Sequence, residues 1–430
     1  MFQLAPCRWR QLLAVAVTVF AAALAGCSSA GGTGNATASS AAAAAAAGST
    51  GSAPAGADPA AAGAAPTGSA VTIMAIATRN NPGDSEANLF AAAQAETDTV
   101  NAAGGVNGHK LVLLQCDENL NPNLEAACVN KAVADKVSAV VGSSLLFDQF
   151  DALASAHIPL LYNIGLTPKL FTDPISYPTP GIVGWFAGEA MMAGQDKIKT
   201  AELGEVNQAS SAAACGIAKT VLTNEGIKVL GAVTSNLTSP DRTADAAALM
   251  QANPGGILLC GDDVYNVPMI KALRQAGYQG FIYSQASGLH ADEAASLGSL
   301  GQGVRVPYDG QPADNTANPI VAQMVNSVNK YAPGTTLDET GAAGWSGVYL
   351  YAHVMAKATS FTGQAVINAL NAVKTPIQGG VFGPFVGSGT PLFPQYPRLF
   401  SASFLPAEVE SGKIVPIGSF VSIPASLLKQ

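Results

Sequence analysis

The chain has 430 residues, 48% of them apolar, and 21 Lys and Arg stand against 29 Asp and Glu for a formal charge of −8. That length is too great for one compact core and suits two lobes. An acidic balance without Lys/Arg clusters excludes a nucleic-acid partner, whose phosphate backbone demands basic surface.

The first residues read as an export signal. Arg8 and Arg10 precede an apolar run over residues 11–23 that is too short to span a bilayer, and Leu24-Ala25-Gly26-Cys27 follows. This tetrapeptide resembles the bacterial lipoprotein box, which implies removal of residues 1–26, lipid on Cys27 and a location on the outer face of the cell membrane. The alternative is an ordinary signal peptide with a chance cysteine. Residues 27–69 are almost wholly Ala, Gly, Ser, Thr and Pro, with one charge at Asp58. Such a segment cannot bury enough surface to offset its ordering entropy, so it is expected to be a flexible tether reaching roughly 35 Å.

Cys7 leaves with the signal and Cys27 is assigned to lipid, so Cys116, Cys128, Cys215 and Cys260 remain. An even number in an exported chain points to disulfides, with three pairings possible. Cys116 ends a strand and Cys128 lies in the next helix; Cys215 sits near a helix start and Cys260 at a strand end. The expected pairs are therefore Cys116 with Cys128 and Cys215 with Cys260, against the alternative of four buried thiols. No CxxC or Cys/His metal spacing occurs, and no metal or other cofactor is expected.

From residue 70 the elements alternate. Residues 71–77 read as a strand; Asp84 or Ser85 caps a helix with an apolar stripe at Leu89, Ala93 and Val100. Gly104 and Gly105 stop that helix, because glycine enters the left-handed region without steric penalty, and Val106-Asn107-Gly108 turns the chain into a strand at Leu111. Asn121 as cap and Pro122 at the first position start a second helix. Residues 138–142 form a third strand, 147–156 a helix and 158–163 a fourth strand. The second half repeats the pattern with strands in 199–207, 224–233, 255–263 and 277–285, and helices around Cys215, at 243–251 and at 268–276. Two late helices cover 345–359 and 364–373. Strand–helix alternation of this kind makes parallel α/β sheets.

The ordered run NAAGGVNGHKLVLL, Asp117, a proline-started helix, SAVVGS, a helix and HIPLLYNIG resembles the amino lobe of type I periplasmic solute-binding proteins, the leucine/isoleucine/valine-binding family of ABC importers. The resemblance implies two Rossmann-like lobes with parallel sheets joined by three crossovers. It places one lobe at 70–183 plus 309–375 and the other at 184–308 plus 376–430, with crossings near residues 181–185, 306–310 and after 375. It also implies a small-molecule solute and ABC permease subunits as partners, with closure of the lobes trapping the solute.

Ligands of parallel α/β sheets bind outside the carboxyl ends of the strands. The expected contacts in one lobe are Arg79, Ser143, Ser144, Asn163, Ile164 and Gly165, supplying hydroxyl, amide and backbone donors. In the other lobe they are Gln208, Asp262 and Gln285, with Trp185 and Tyr308 near the crossings. Ser143 and Ser144 read equally as helix caps, Asp262 as a turn residue and Trp185 as interlobe packing. The solute is expected to be an amino acid, an amide or a small carboxylate-like molecule. An α-amino acid is the weakest of these, because Leu145, Leu146 and Leu166 stand where polar contacts belong and YSQASG offers no acid for an amine.

Enzymatic chemistry finds no constellation. His109, His157, His290 and His353 are scattered, and Gly344-Trp345-Ser346-Gly347-Val348 lacks the final glycine of a hydrolase elbow, so it reads as helix packing. A ligand-sensing lipoprotein acting on a membrane receptor without transport is the alternative function.

Overall fold

The structure, a computed structural model, describes residues 64–81, 85–237, 239 and 241–428. The expected signal, Cys27, the cap at Asp84 and most of the tether lie outside these residues. The described residues fall in one compact unit. Among them no helix is long and apolar enough to cross a membrane.

The first lobe runs β1 (Gly68–Ala77), α1 (Ala87–Ala102), β2 (His109–Asp117), α2 (Pro122–Ala134), β3 (Val140–Val141), α3 (Asp151–Ser155), β4 (Leu160–Leu161) and β5 (Ser176–Tyr177). Its five strands are all parallel, in the order β2-β1-β3-β4-β5. Strand β1 is paired on both sides, and Ile73 to Ala77 are wholly buried because helices cover both faces. The expected turn is present, with Gly104, Gly105, Asn107 and Gly108 all at positive φ. Asn121 caps α2 as expected, its Oδ1 accepting the N–H groups of Asn123 and Leu124, with Pro122 following.

Some elements differ from expectation. Glu86, not Ser85, precedes α1; the Ser85 hydroxyl instead donates to Arg79 O (2.7 Å). The helix expected over 147–156 shortens to α3, because the Glu125 carboxylate takes the N–H groups of Leu146, Phe147 and Gln149 (3.0, 3.0 and 2.8 Å) and holds that stretch as a loop.

The second lobe contains α4 (Gly181–Gln195), β6 (Thr200–Val206), α5 (Ala209–Asn224), β7 (Lys228–Ser235), α6 (Thr243–Met250), β8 (Gly256–Leu259), α7 (Asp263–Gln275), β9 (Phe281–Ser284), α8 (Ala291–Leu297) and β10 (Arg305–Tyr308). The chain then returns to the first lobe with α9 (Pro319–Tyr331), α10 (Glu339–Val354) and α11 (Gly363–Asn371). It finishes in the second with β11 (Ser403–Glu410), β12 (Lys413–Pro416) and β13 (Val421–Ser422). The second sheet runs β12-β11-β10-β9-β8-β6-β7, parallel from β7 to β10 and antiparallel beyond, with β13 also on β11. Helix α7 starts five residues before its expected proline start and keeps Pro268 inside. The first crossing is the opening of α4 rather than an extended hinge.

Helices α9 and α10 pack on α1, which is why α1 buries more than its one stripe. A Cβ on Gly344 would lie 2.2 Å from Leu89 O, and one on Gly347 2.4 Å from Gly142 N, so the GWSGV segment is a close helix-packing face. Residues 376–399, expected in the second lobe, run along the first instead. Tyr162 meets the rings of Phe382 and Phe385 edge-on, and Arg398 Nε donates to Ser176 O (2.9 Å). The last crossing therefore falls just before β11, later than expected, because this aromatic packing keeps the segment on the first sheet's edge.

Both expected disulfides are present, Cys116–Cys128 and Cys215–Cys260, with Cα separations of 5.7 and 5.5 Å. Each joins a strand end to a helix of the same lobe. Chain-entropy arguments assign about 3 kcal/mol to the shorter loop and about 4 kcal/mol to the longer one. Replacing Cys215 and Cys260 together by serine should lower the denaturant midpoint more than the same change at Cys116 and Cys128, as urea unfolding followed by circular dichroism would measure; equal midpoints would refute the ordering.

Candidate functional site

Each lobe has the strand order 2-1-3-4-5 about its own first strand, so successive connections leave in opposite directions at one point, between β1 and β3 or between β6 and β8. Crevices at the carboxyl side of such points receive ligands.

At the first point, Ser143 Oγ accepts the Ile76 N–H (2.9 Å) and donates to Val141 O (3.2 Å). Its hydroxyl is thereby committed to the backbone of the neighbouring strands rather than to a helix cap. Ser144 donates its N–H to Ile76 O (3.0 Å) and leaves its hydroxyl without a protein partner among the described residues. Asn163 is fully buried; its Nδ2 donates to Ile164 O (3.2 Å), and its Oδ1 has no donor. The Ile164 N–H donates to Ser143 O (2.9 Å), and the Gly165 N–H to Thr179 Oγ1 (3.2 Å). Gly181, at φ +48°, leaves no room for a Cβ, which would sit 2.1 Å from Gly165 O. Arg79 is drawn to β2: its guanidinium donates to Gln115 and lies 4.1 Å from the Phe90 ring centroid.

At the second point, Ser211 Oγ bridges the ends of β6 and β8, accepting the Val206 N–H (3.0 Å) and donating to Cys260 O (2.7 Å). Gln208 is exposed and lines a depression of 620 Å³ with Asn207, Thr234 and Asn236. Asp262 is exposed at the start of α7 and makes no capping bond. Gln285 is buried and structural, its Nε2 donating to Gly261 O and its Oε1 accepting from Asn266 (3.3 Å).

The crossings carry buried acids. Asp309 follows β10 and Glu339 opens α10; both are enclosed, and Trp185 Nε1, both Asp309 oxygens and Glu339 Oε1 lack hydrogen bonds of ordinary geometry. Burial pushes Asp309 up to about 7, against the opposing pull of the Trp185 indole. Glu339 is raised further, by burial first and then by the charges of Asp309 and Asp338. Tyr308 is raised by burial and by the same acids.

Between the lobes lies a cleft of 490 Å³. Ser85, Asn88, Thr336 and Asp338 line it from the first lobe, and His290 and Asp292 from the second. Asp338 accepts from Asn88 Nδ2 (2.6 Å), so the starts of α1 and α10 are pinned together at its rim. No Lys or Arg lines it. Beside it, Asp263, His290 and Glu293 bring one ligand atom each within 4.8 Å of one another; no other such group of three metal ligands occurs among the described residues. Capping accounts for part of this group, since Glu293 Oε2 accepts the His290 N–H (2.7 Å) at the start of α8.

A family profile described as "Periplasmic binding protein" matches residues 71–390. The chain belongs to the periplasmic binding protein family. No curated protein matches the sequence. Among solved structures, an extracellular ligand-binding receptor from Verminephrobacter eiseniae is 15% identical with a TM-score of 0.69, covering 80% of this chain and 99% of that one. A solute-binding protein of an ABC transporter from R. palustris, in complex with 4-hydroxybenzoate, is 18% identical (TM-score 0.67; 84% and 100% covered). A leucine-binding protein from Thermotoga maritima is 17% identical (TM-score 0.64; 82% and 99% covered). At these identities the likeness establishes the fold: two α/β lobes of the type I class.

In this periplasmic binding protein none of the ligand contacts expected from sequence lines the 490 Å³ cleft. They gather instead at the two strand-order reversals and the crossings. The lining residues that sequence reasoning missed, Asn88, His290 and Asp338, sit at helix starts; the signal was the pair of caps at Asp338 and His290, which says where a helix begins but not what it faces.

Among the buried carboxyls with raised pKa values, Glu96 is pushed up to about 8 and Asp309 to about 7, and Glu189 and Glu339 move in the same direction, all chiefly by desolvation. In the folded protein they keep protons that the unfolded chain has already released, so the native state binds more protons and stability falls as pH rises from about 4.5 to about 8. The melting temperature should be lower at pH 8 than at pH 5. Glu96→Gln, which removes the cost of ionising that group beside Ser327, should flatten this slope and stabilise the protein by on the order of 2 kcal/mol at pH 8; a slope unchanged in calorimetry would refute it.

Proposed function

We propose that this chain is the lipid-anchored, extracytoplasmic solute-binding component of an ABC importer. Cys27 carries the lipid, the segment from there to β1 is the tether, and the two lobes close on a small solute and present it to the permease. The observation that carries this reading is the cleft between two α/β lobes, lined from both, in a chain whose family consists of periplasmic binding proteins. An open form takes the solute and the closed form docks, so occupancy is transmitted as a shift in population.

The lining favours a solute with an amide or amine end. Asn88, His290, Asp292 and Asp338 offer acceptors and acidic charge, and the absence of Lys and Arg leaves a bare carboxylate without a counter-charge. Ser144, with its free hydroxyl, and the Asn163 Oδ1 supply further polar groups at the first strand-order reversal.

A thermal-shift screen of the chain from residue 28 onward, against amino acids, amides, amines, carboxylates and sugars, tests this. A member of the amine or amide class should raise the melting temperature, with about 2.7 kcal/mol of stabilisation at a hundredfold excess over Kd. Shifts from carboxylates alone would overturn the solute class, and none from any class, with no solute released on denaturation, would overturn the function. With the solute found, Ser144→Ala should weaken binding at unchanged stability, whereas Ser143→Ala should cost about 1–2 kcal/mol of stability. Cys27→Ala should move the protein from the membrane fraction to the soluble one, read by fractionation and by the mass of the N-terminal peptide; continued membrane association would remove the anchor.

A further inference from the structure

Where the chain makes its last passage from the first lobe to the second, a cavity of 30 Å³ opens among Tyr162, Tyr177, Phe385, Phe400 and Arg398. It shares no lining residue with the interlobe cleft. Arg398 is its only ionised side chain, and this guanidinium lacks a counter-charge: none of the ion pairs among the described residues includes it. Its Nε donates to Ser176 O (2.9 Å). Nη2 is shut off from solvent with no acceptor. The Tyr177 hydroxyl donates to Asn371 Oδ1 (2.8 Å) and remains an acceptor toward Arg398, but as a neutral group it supplies no counter-charge. Tyr177 and Phe400 flank the guanidinium, with ring centroids 4.4 and 5.0 Å from its carbon.

A positive fork held between aromatic rings, with its Nη2 lacking an acceptor of ordinary geometry, is suited to pair with a planar oxyanion through two parallel hydrogen bonds. Arg398 is half-buried, and its one solvent-excluded nitrogen left without a partner carries a desolvation cost, which is the reason to expect one. Size narrows the choice. Space of 30 Å³ holds about two or three water-sized groups, which suits formate, nitrate, acetate or bicarbonate and excludes an aromatic acid.

We infer that this cavity is a binding site for a small planar oxyanion, clamped by the guanidinium of Arg398 beside the last interlobe passage. The occupant neutralises Arg398 and ties the strand leading to β11 to the edge strand β5, so it stabilises the folded protein independently of any solute in the cleft.

The test is titration of the purified chain from residue 28 onward with sodium formate, acetate, nitrate and bicarbonate at constant ionic strength, followed by thermal shift and, for acetate, by ¹³C NMR of the labelled anion. Sodium chloride and sodium benzoate serve as the spherical and oversized controls. At least one planar anion should give a saturable rise in melting temperature, absent with both controls. Arg398→Lys should weaken it about tenfold or more, because an ammonium cannot make the paired bonds, and Arg398→Gln should abolish it. Val386→Phe, which fills the cavity from its wall and leaves the guanidinium in place, should abolish it too and decides the matter if Arg398→Gln fails to fold. No saturable response in the unmodified protein, a response equalled by chloride, or one that survives Val386→Phe would overturn the assignment.

Discussion

Parallel strands cannot be joined by a tight turn, and this constraint organises everything else in the molecule. Each parallel pair sends the chain back through a helix, so every parallel strand of a lobe ends on the same side. In the first lobe that side collects Thr78, Ser143, Asn163 and Thr179; in the second it collects Gln208, Asp262, Gln285 and Asp309. Strands β1 and β6 each pair on both sides, with β2 and β3 and with β7 and β8. Their neighbours' loops are therefore forced together, and the chain uses short side chains there to bind backbone. Ser143 does so between β1 and β3, and Ser211 between β6 and β8.

Buried acid is the second theme. Glu96, Glu189, Asp309 and Glu339 are enclosed without a cation, and desolvation raises each one's affinity for a proton. Asp309 and Glu339 lie at the second passage between the lobes, facing Trp185 of the first passage. The same region holds the Gly165–Gly181 approach. Charge at the passages is thus met by protons and by backbone rather than by ion pairs. Arg398, beside the third passage, is the opposite case: a half-buried cation without an acid.

The two disulfides act within the lobes, not between them. Cys116–Cys128 ties β2 to α2, and Cys215–Cys260 ties α5 to the end of β8. Each lobe is stapled while the passages are left free of covalent links, an arrangement compatible with lobe motion. Arg305 reinforces the second lobe in the same spirit, pairing with Asp196 (3.1 Å) at the end of α4 and with Glu408 on β11.

Much of this was legible in the residues. The order of strands and helices, the double-glycine turn after α1, the Asn121-Pro122 helix start, the pairing of the cysteines and the packing role of the GWSGV segment depend on local stereochemistry and period, which a sequence carries directly. What the residues could not convey was where distant segments meet. The loop at 146–149 is held by Glu125, twenty-one residues away from its first partner. Residues 376–399 stay on the first lobe because Phe382 and Phe385 find Tyr162. The cleft is lined by helix starts from α1, α8 and the rim of α10 rather than by the expected contacts. Local pattern and backbone chemistry determined the elements and their alternation; only the packed structure decided which side chains share a cleft, a passage or a buried charge, because those neighbours are brought together by long-range burial and by no feature of the chain near them.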